Sequence, residues 1–148
     1  MAMGVSVVLS ERLFTAAFKG ETFTLPTKLW LALLEVEPNH TTTSAELEST
    51  MEVQYTTYAR VEIATISTAW EYTAPTSTVK AKWVNKNAIT FATPSAVGTR
   101  KVAKFFAITD VASGAGNQFV TGALASEQTI NVGGEVKAAA KAIEVTFE

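Results

Sequence analysis

The sequence contains no cysteine, one histidine (His40) and one aspartate (Asp110). Without cysteine there is no disulfide framework, no thiolate zinc site and no cysteine nucleophile. His40, in Pro38-Asn39-His40-Thr41, has no second imidazole or thiolate with which to complete a metal or nucleophile site, so it reads as a solvated turn residue. Only 18% of the residues are charged and the net charge is −2, which leaves no bulk positive field to draw in nucleic acid. Long apolar runs are missing too. Leu29–Leu34 stops at Glu35, where a membrane-spanning helix needs about 20 residues. The apolar start lacks a basic n-region and is broken by Glu11 and Arg12, unlike a secretory signal. These absences argue against an enzyme, a cofactor or a bound metal, and against a nucleic-acid or membrane partner.

What is present is enough for one self-sufficient core. A chain of 148 residues, 47% of them hydrophobic, has the size of one ordinary domain, and no repeat or linker divides 1–148. Leu9, Leu13, Phe14, Ala17 and Phe18 recur at steps of three and four, predicting an amphipathic helix over about 5–19, with Ser6 as N-cap and Gly20 as the stop. After it the period becomes two. Ala59, Val61 and Ile63 alternate with Tyr58, Arg60 and Glu62, and Val79, Ala81 and Trp83 with Lys80 and Lys82; this places the polar members on a wet face and Trp83 toward the core.

Further segments rich in β-branched and aromatic residues, 29–34, 88–92, 102–109, 118–124, 129–132 and 143–147, are bounded by turn residues and read as strands. Threonine occurs 22 times, which suits the solvent side of antiparallel strands. Short turns and a single helix exclude helical crossovers, so the fold class is mainly β: an antiparallel β-sandwich with one N-terminal amphipathic helix and a long acidic loop. Alanine-rich Ala138–Ala142 conflicts with its strand-like flanks, and the apolar phase slips there; a strand with a bulge accounts for both.

The acidic loop is Glu35–Glu52, with Glu35, Glu37, Glu46, Glu48 and Glu52. Connections of this length in a compact domain tend to be functional or mobile. Within it Thr43-Ser44-Ala45-Glu46 fits a capping box for a short helix over 44–51. Asp110–Asn117 contains Gly114 and Gly116 but lacks the ending of a phosphate loop and any following helix, so it reads as a hairpin in which Asp110 caps its own backbone and both glycines take positive φ. Basic residues lie near aromatics at Lys80, Lys82 and Trp83 and at Lys101, Lys104 and Phe105, but Lys80 and Lys82 share a face while Trp83 points the other way, which describes a wet face and a core face of one strand more than a nucleic-acid surface. The chain carries −4 up to Glu52 and +2 from Val53 onward, an asymmetry that permits complementary contact between subunits.

Gly20-Glu21-Thr22-Phe23-Thr24-Leu25-Pro26 after the helix, Leu29-Trp30-Leu31-Ala32-Leu33, Tyr58-Ala59-Arg60-Val61 and Asn87-Ala88-Ile89-Thr90-Phe91-Ala92-Thr93 resemble, in that order, a family of small virion proteins of tailed bacteriophages. Phe105-Phe106-Ala107-Ile108-Thr109-Asp110, Gly122-Ala123-Leu124 and Ile143-Glu144-Val145-Thr146-Phe147 continue the likeness to the end. Members of that family are commonly labelled tail fibre or minor tail proteins. The resemblance implies a structural part of the virion, present in host cytoplasm during assembly, with no enzymatic activity.

Without a repeat, 148 residues supply a compact unit and no fibre shaft. The first expectation is therefore a capsid decoration, or cement, protein, carried in many copies or as a homo-oligomer and bridging shell subunits. It would dock through the helix face (Leu9, Leu13, Phe14, Phe18) and the acidic loop (Pro38, His40, Leu47, Met51). A place in the tail or baseplate is the alternative. A third reading is a carbohydrate-binding module in which Trp70, Tyr72 or Trp83 stacks on a sugar ring, which requires at least one of them exposed in a concave site.

Overall fold

The computed structural model describes residues 5–24, 26–63 and 68–146. Helix α1 (Val7–Lys19) is framed by the residues that the sequence marks: the Ser6 hydroxyl accepts from the Leu9 N–H at 3.2 Å, and Gly20 closes the helix in the left-handed conformation. Nine strands are described: β1 (Leu29–Leu34), β2 (Val61–Ile63), β3 (Trp70–Thr73), β4 (Lys82–Asn85), β5 (Ile89–Thr90), β6 (Val102–Thr109), β7 (Gln118–Thr129), β8 (Lys137–Ala138) and β9 (Glu144–Thr146). All pair antiparallel, in sheets of order β2-β1-β6-β7, β3-β4-β9 and β5-β8. This is the β-sandwich with an N-terminal helix that the alternation implies. Strands β1 and β6 keep their expected bounds, whereas β7 runs on through Thr129 and absorbs the start of the separate strand expected over 129–132. Of the strand expected over 143–147, Phe147 lies outside the described residues.

Strand β1 is apolar throughout because both of its faces are buried. Leu31 and Leu33 lie opposite Ile108 and Phe106 and point into the main core, where Phe91, Val136, Ile143 and Val145 of the smaller sheets and their flanks close over them. In β7, Gly122 stands opposite Phe106, and a Cβ there would come within 2.6 Å of the phenyl ring. The alternate residues Ala32, Leu34 and Ala107 form a second apolar layer on the outer face.

That outer layer explains the long acidic connection. The capping box forms: the Thr43 hydroxyl accepts from the Glu46 N–H at 3.2 Å while the Glu46 carboxylate accepts from the Thr43 N–H at 2.7 Å. One helical turn, α2 (Ser44–Glu46), then passes into a π-helical turn over Leu47–Met51. It drops Leu47, fully buried, onto Ala32, Leu34 and Ala107. The alanines are small enough to let it approach. The ends are sewn down by Glu35 N–H to Met51 C=O at 2.9 Å and Val53 N–H to Leu33 C=O at 3.0 Å. The connection is a packed cover of the sheet and not a solvated arm.

Two other readings need correction. Of the alanine-rich segment only Ala138 pairs as strand, with Ile89, next to the Lys137–Thr90 pair. The phase slip beyond them is a turn, not a bulge: Lys141 adopts φ 61° and its N–H reaches the Asn85 carbonyl at 2.8 Å. In the 110–117 hairpin, Asp110 caps its own backbone as expected, accepting from the Asn117 N–H at 2.6 Å and its side-chain amide at 2.7 Å. Gly114 takes positive φ there, and Gly116 does not.

Candidate interaction surface

Helix α1 is pinned at its start. Val5 bridges Val120, the Ser6 N–H reaches the Phe119 carbonyl at 2.8 Å, and the Val7 N–H reaches the His40 carbonyl at 3.2 Å. Val8 and Leu9 pack against the main core, and the Arg12 guanidinium sits 5.3 Å from the centre of the Phe119 ring, a cation–π contact. No residue of the helix is buried. On the arc away from β7, Val7, Phe14 and Phe18 follow at steps of seven and four and fall within about 40° of one another at 3.6 residues per turn. They are 46%, 63% and 81% exposed, with Leu13 at 39% beside them. Phe14 and Phe18 stack on each other with ring centres 5.9 Å apart. This leaves a contiguous apolar stripe on the solvent side of the helix.

The residues singled out from the sequence therefore separate. Leu13, Phe14 and Phe18 are exposed, and Leu9 is half-buried against the chain's own core. His40 is exposed and tied to the start of α1. Pro38 and Leu47 are buried inside the chain's own fold, and Met51 is half-buried beside Leu47. The cover thus turns Pro38, Leu47 and Met51 onto its own fold, with Val36 left exposed, whereas the helix presents Leu13, Phe14 and Phe18 outward.

Beneath the cover lies a node that sequence reasoning missed. The alternation puts Arg60 on a wet face, but the structure buries it. Its Nε and Nη2 donate to one Glu52 oxygen at 2.8 and 2.6 Å, Nη2 also donates to the Ser44 carbonyl at 2.9 Å, and Nη1 donates to the Ser44 hydroxyl at 2.7 Å and the Val111 carbonyl at 3.2 Å. One guanidinium thereby ties the cover to the strand flank and the 110–117 hairpin. Burial pushes the Glu52 carboxyl above its usual range, against the pull of Arg60 and the Tyr58 hydroxyl. Burial also lifts Tyr58 well above the ordinary phenol range. Two residues eight apart in irregular chain carry no periodic signal, so nothing in the sequence pattern marks the pair.

The clefts open to solvent among the described residues include a pair bordered by ionisable side chains. One of about 770 Å³ lies between α1 and the segment leading into β1, with Trp30 in its lining and both signs of charge around it, Arg12 and Lys28 against Glu11 and Asp110. The other, about 470 Å³, is bordered by Glu48, Glu52, Tyr55 and Tyr58. Neither is lined by Trp70, Tyr72 or Trp83. Trp83 stands opposite Tyr72 and Val145 and shares their face, away from Lys82, as the alternation implies. It is nevertheless exposed, because the core layer ends at Val145; Trp83 and Tyr72 form a solvent-facing pair with ring centres 4.8 Å apart.

Among the described residues no cluster of three or more His, Cys, Asp or Glu is placed to hold a metal, and no helix is long and apolar enough to cross a membrane. A model of the family described as "Podophage GP4 fiber I protein gp80" matches residues 4–146. No curated protein matches the chain.

Proposed function

The chain belongs to the podophage GP4 fiber I protein gp80 family, and from that premise we propose that it is a non-catalytic building block of a virion appendage, docking through the outward face of α1. The coarser role, a structural protein of the phage particle, follows from the family. The single observation that carries the docking face is the stripe of Val7, Phe14 and Phe18 left open on a helix whose other side is already seated on β7. The chain works as one unit over 1–148, takes no cofactor and turns over no substrate. Its partners are other virion proteins, met in the host cytoplasm during assembly, and neither nucleic acid nor membrane is among them.

The family's description as a fibre protein favours an appendage over the shell. The compactness of the fold favours the other reading, capsid decoration, in which each copy bridges shell subunits and modest contacts add up by repetition. Counting copies per purified particle by quantitative mass spectrometry decides between them. An appendage part occurs in small multiples such as three, six or twelve, and hundreds of copies would move the protein to the capsid.

A further inference from the structure

We infer that the α1 stripe is covered by the same helix of a second copy of this chain, running parallel to it. The inference rests on the proposed role as a virion building block and names the partner for that docking face. In heptad phase Val7 and Phe14 occupy the a positions, Ser10 and Ala17 the d positions, Leu13 is g and Phe18 is e. Small residues at d let two helix axes approach closely, and in a parallel pair each g residue meets the e residue five further along in the partner. Leu13 would therefore meet Phe18 of the other copy, and Val7 and Phe14 would meet their own counterparts. All four large exposed apolar side chains of the helix are covered at once.

An antiparallel pair does not do this, because e then faces e. Glu11, also at e and exposed, would place its carboxylate against Phe18 of the other copy. The surface thus matches itself in one orientation, as an isologous contact between copies requires.

The size of the stripe fits copies held together in a particle. Taking about 200 Å² for a whole aromatic side chain, the exposures of Phe14 and Phe18 amount to on the order of 300 Å². A standard stable interface takes about 800 Å² from each partner. One such contact is weak between free chains and becomes firm when neighbours are already tethered at high effective concentration.

The absence of cysteine makes a clean test possible with the full chain. Val7→Cys, Phe14→Cys and Thr15→Cys variants are oxidised mildly at high protein concentration and run on a non-reducing gel. Parallel pairing predicts covalent dimers for Val7→Cys and Phe14→Cys and none for Thr15→Cys, with the Val7→Cys band lost when Phe14→Ser and Phe18→Ser are added. A dimer from Phe14→Cys but not Val7→Cys overturns the parallel arrangement. Monomers throughout overturn the homotypic contact. In that last case, loss of the Phe14→Ser/Phe18→Ser chain from particles would leave the docking face intact with a different protein as its partner, and normal incorporation would remove the docking face as well.

Discussion

Arg60 and Glu52 form a buried ion pair in which two guanidinium nitrogens share a single carboxylate oxygen at 2.8 and 2.6 Å, with side chains 1% and 3% exposed. Removing one partner of such a pair leaves a charge stranded without water, a loss of about 3–5 kcal/mol. Arg60→Ala is expected to lower unfolding free energy by that amount in denaturant titrations. A loss below about 1 kcal/mol would mean that the pair does not organise the cover.

The capping box makes a pH prediction. Hydrogen bonds from the Thr43 backbone and hydroxyl hold the Glu46 carboxyl below its ordinary value of 4.5. A carboxylate whose folded value is depressed contributes stability above its unfolded value and loses it as pH falls through the folded one. The melting temperature of wild type should exceed that of Glu46→Gln at pH 7, and the gap should close on acidification from about pH 4.5 downward. A gap that persists unchanged at pH 2 contradicts the charge-based cap.

At the alkaline end the sign reverses. Burial raises Tyr55 to about 12 and Tyr58 well above 10, so above about pH 10 the unfolded chain sheds phenolic protons that the folded chain keeps. Stability should therefore fall as pH rises from 10 toward 12. The Tyr55 hydroxyl is buried with no hydrogen-bond partner, so Tyr55→Phe is expected to be neutral or stabilising by up to about 1 kcal/mol at pH 7. The same substitution should flatten the alkaline decline, as read by melting temperature across pH 8–11.

Gly122 faces the Phe106 ring across β6 and β7. Gly122→Ala forces the largest fully buried side chain out of place, and overpacking of this kind costs about 1–3 kcal/mol. Unchanged stability by chemical denaturation would show that the ring has room to move.

What the sequence made legible was whatever is encoded locally. Ser6, Gly20 and the Thr43–Glu46 box act within one turn of chain, and the ends of β1 and β6 follow from runs of apolar residues that stop abruptly. Arg60 was not legible because arginine normally stays in water, and its partners Glu52, Ser44 and Val111 come together only when the cover folds back on the sheet. Nothing in the sequence set glutamates 35, 48 and 52 apart from the other acidic residues of the loop. In the fold Glu35 accepts from the Val102 N–H at 2.7 Å, Glu48 accepts from the Gly114 N–H, and Glu52 is buried. Trp83 was oriented correctly by its alternation with Lys82, but alternation reports a side, not how far the opposing layer extends. The helix stripe was half legible: period 3.6 found the apolar residues, and only the seating of Val8 and Leu9 on the core reveals that Phe14 and Phe18 point the other way.

The central claim, that this protein serves the particle by docking through the outward face of α1, is tested most directly by incorporation of Phe14→Ser/Phe18→Ser into phage particles, measured by quantitative mass spectrometry against the wild-type chain. Both side chains are exposed, so the isolated variant should unfold within about 0.5 kcal/mol of wild type per site. The account predicts purified particles that lack the variant, and particles carrying it at the wild-type copy number would contradict the account.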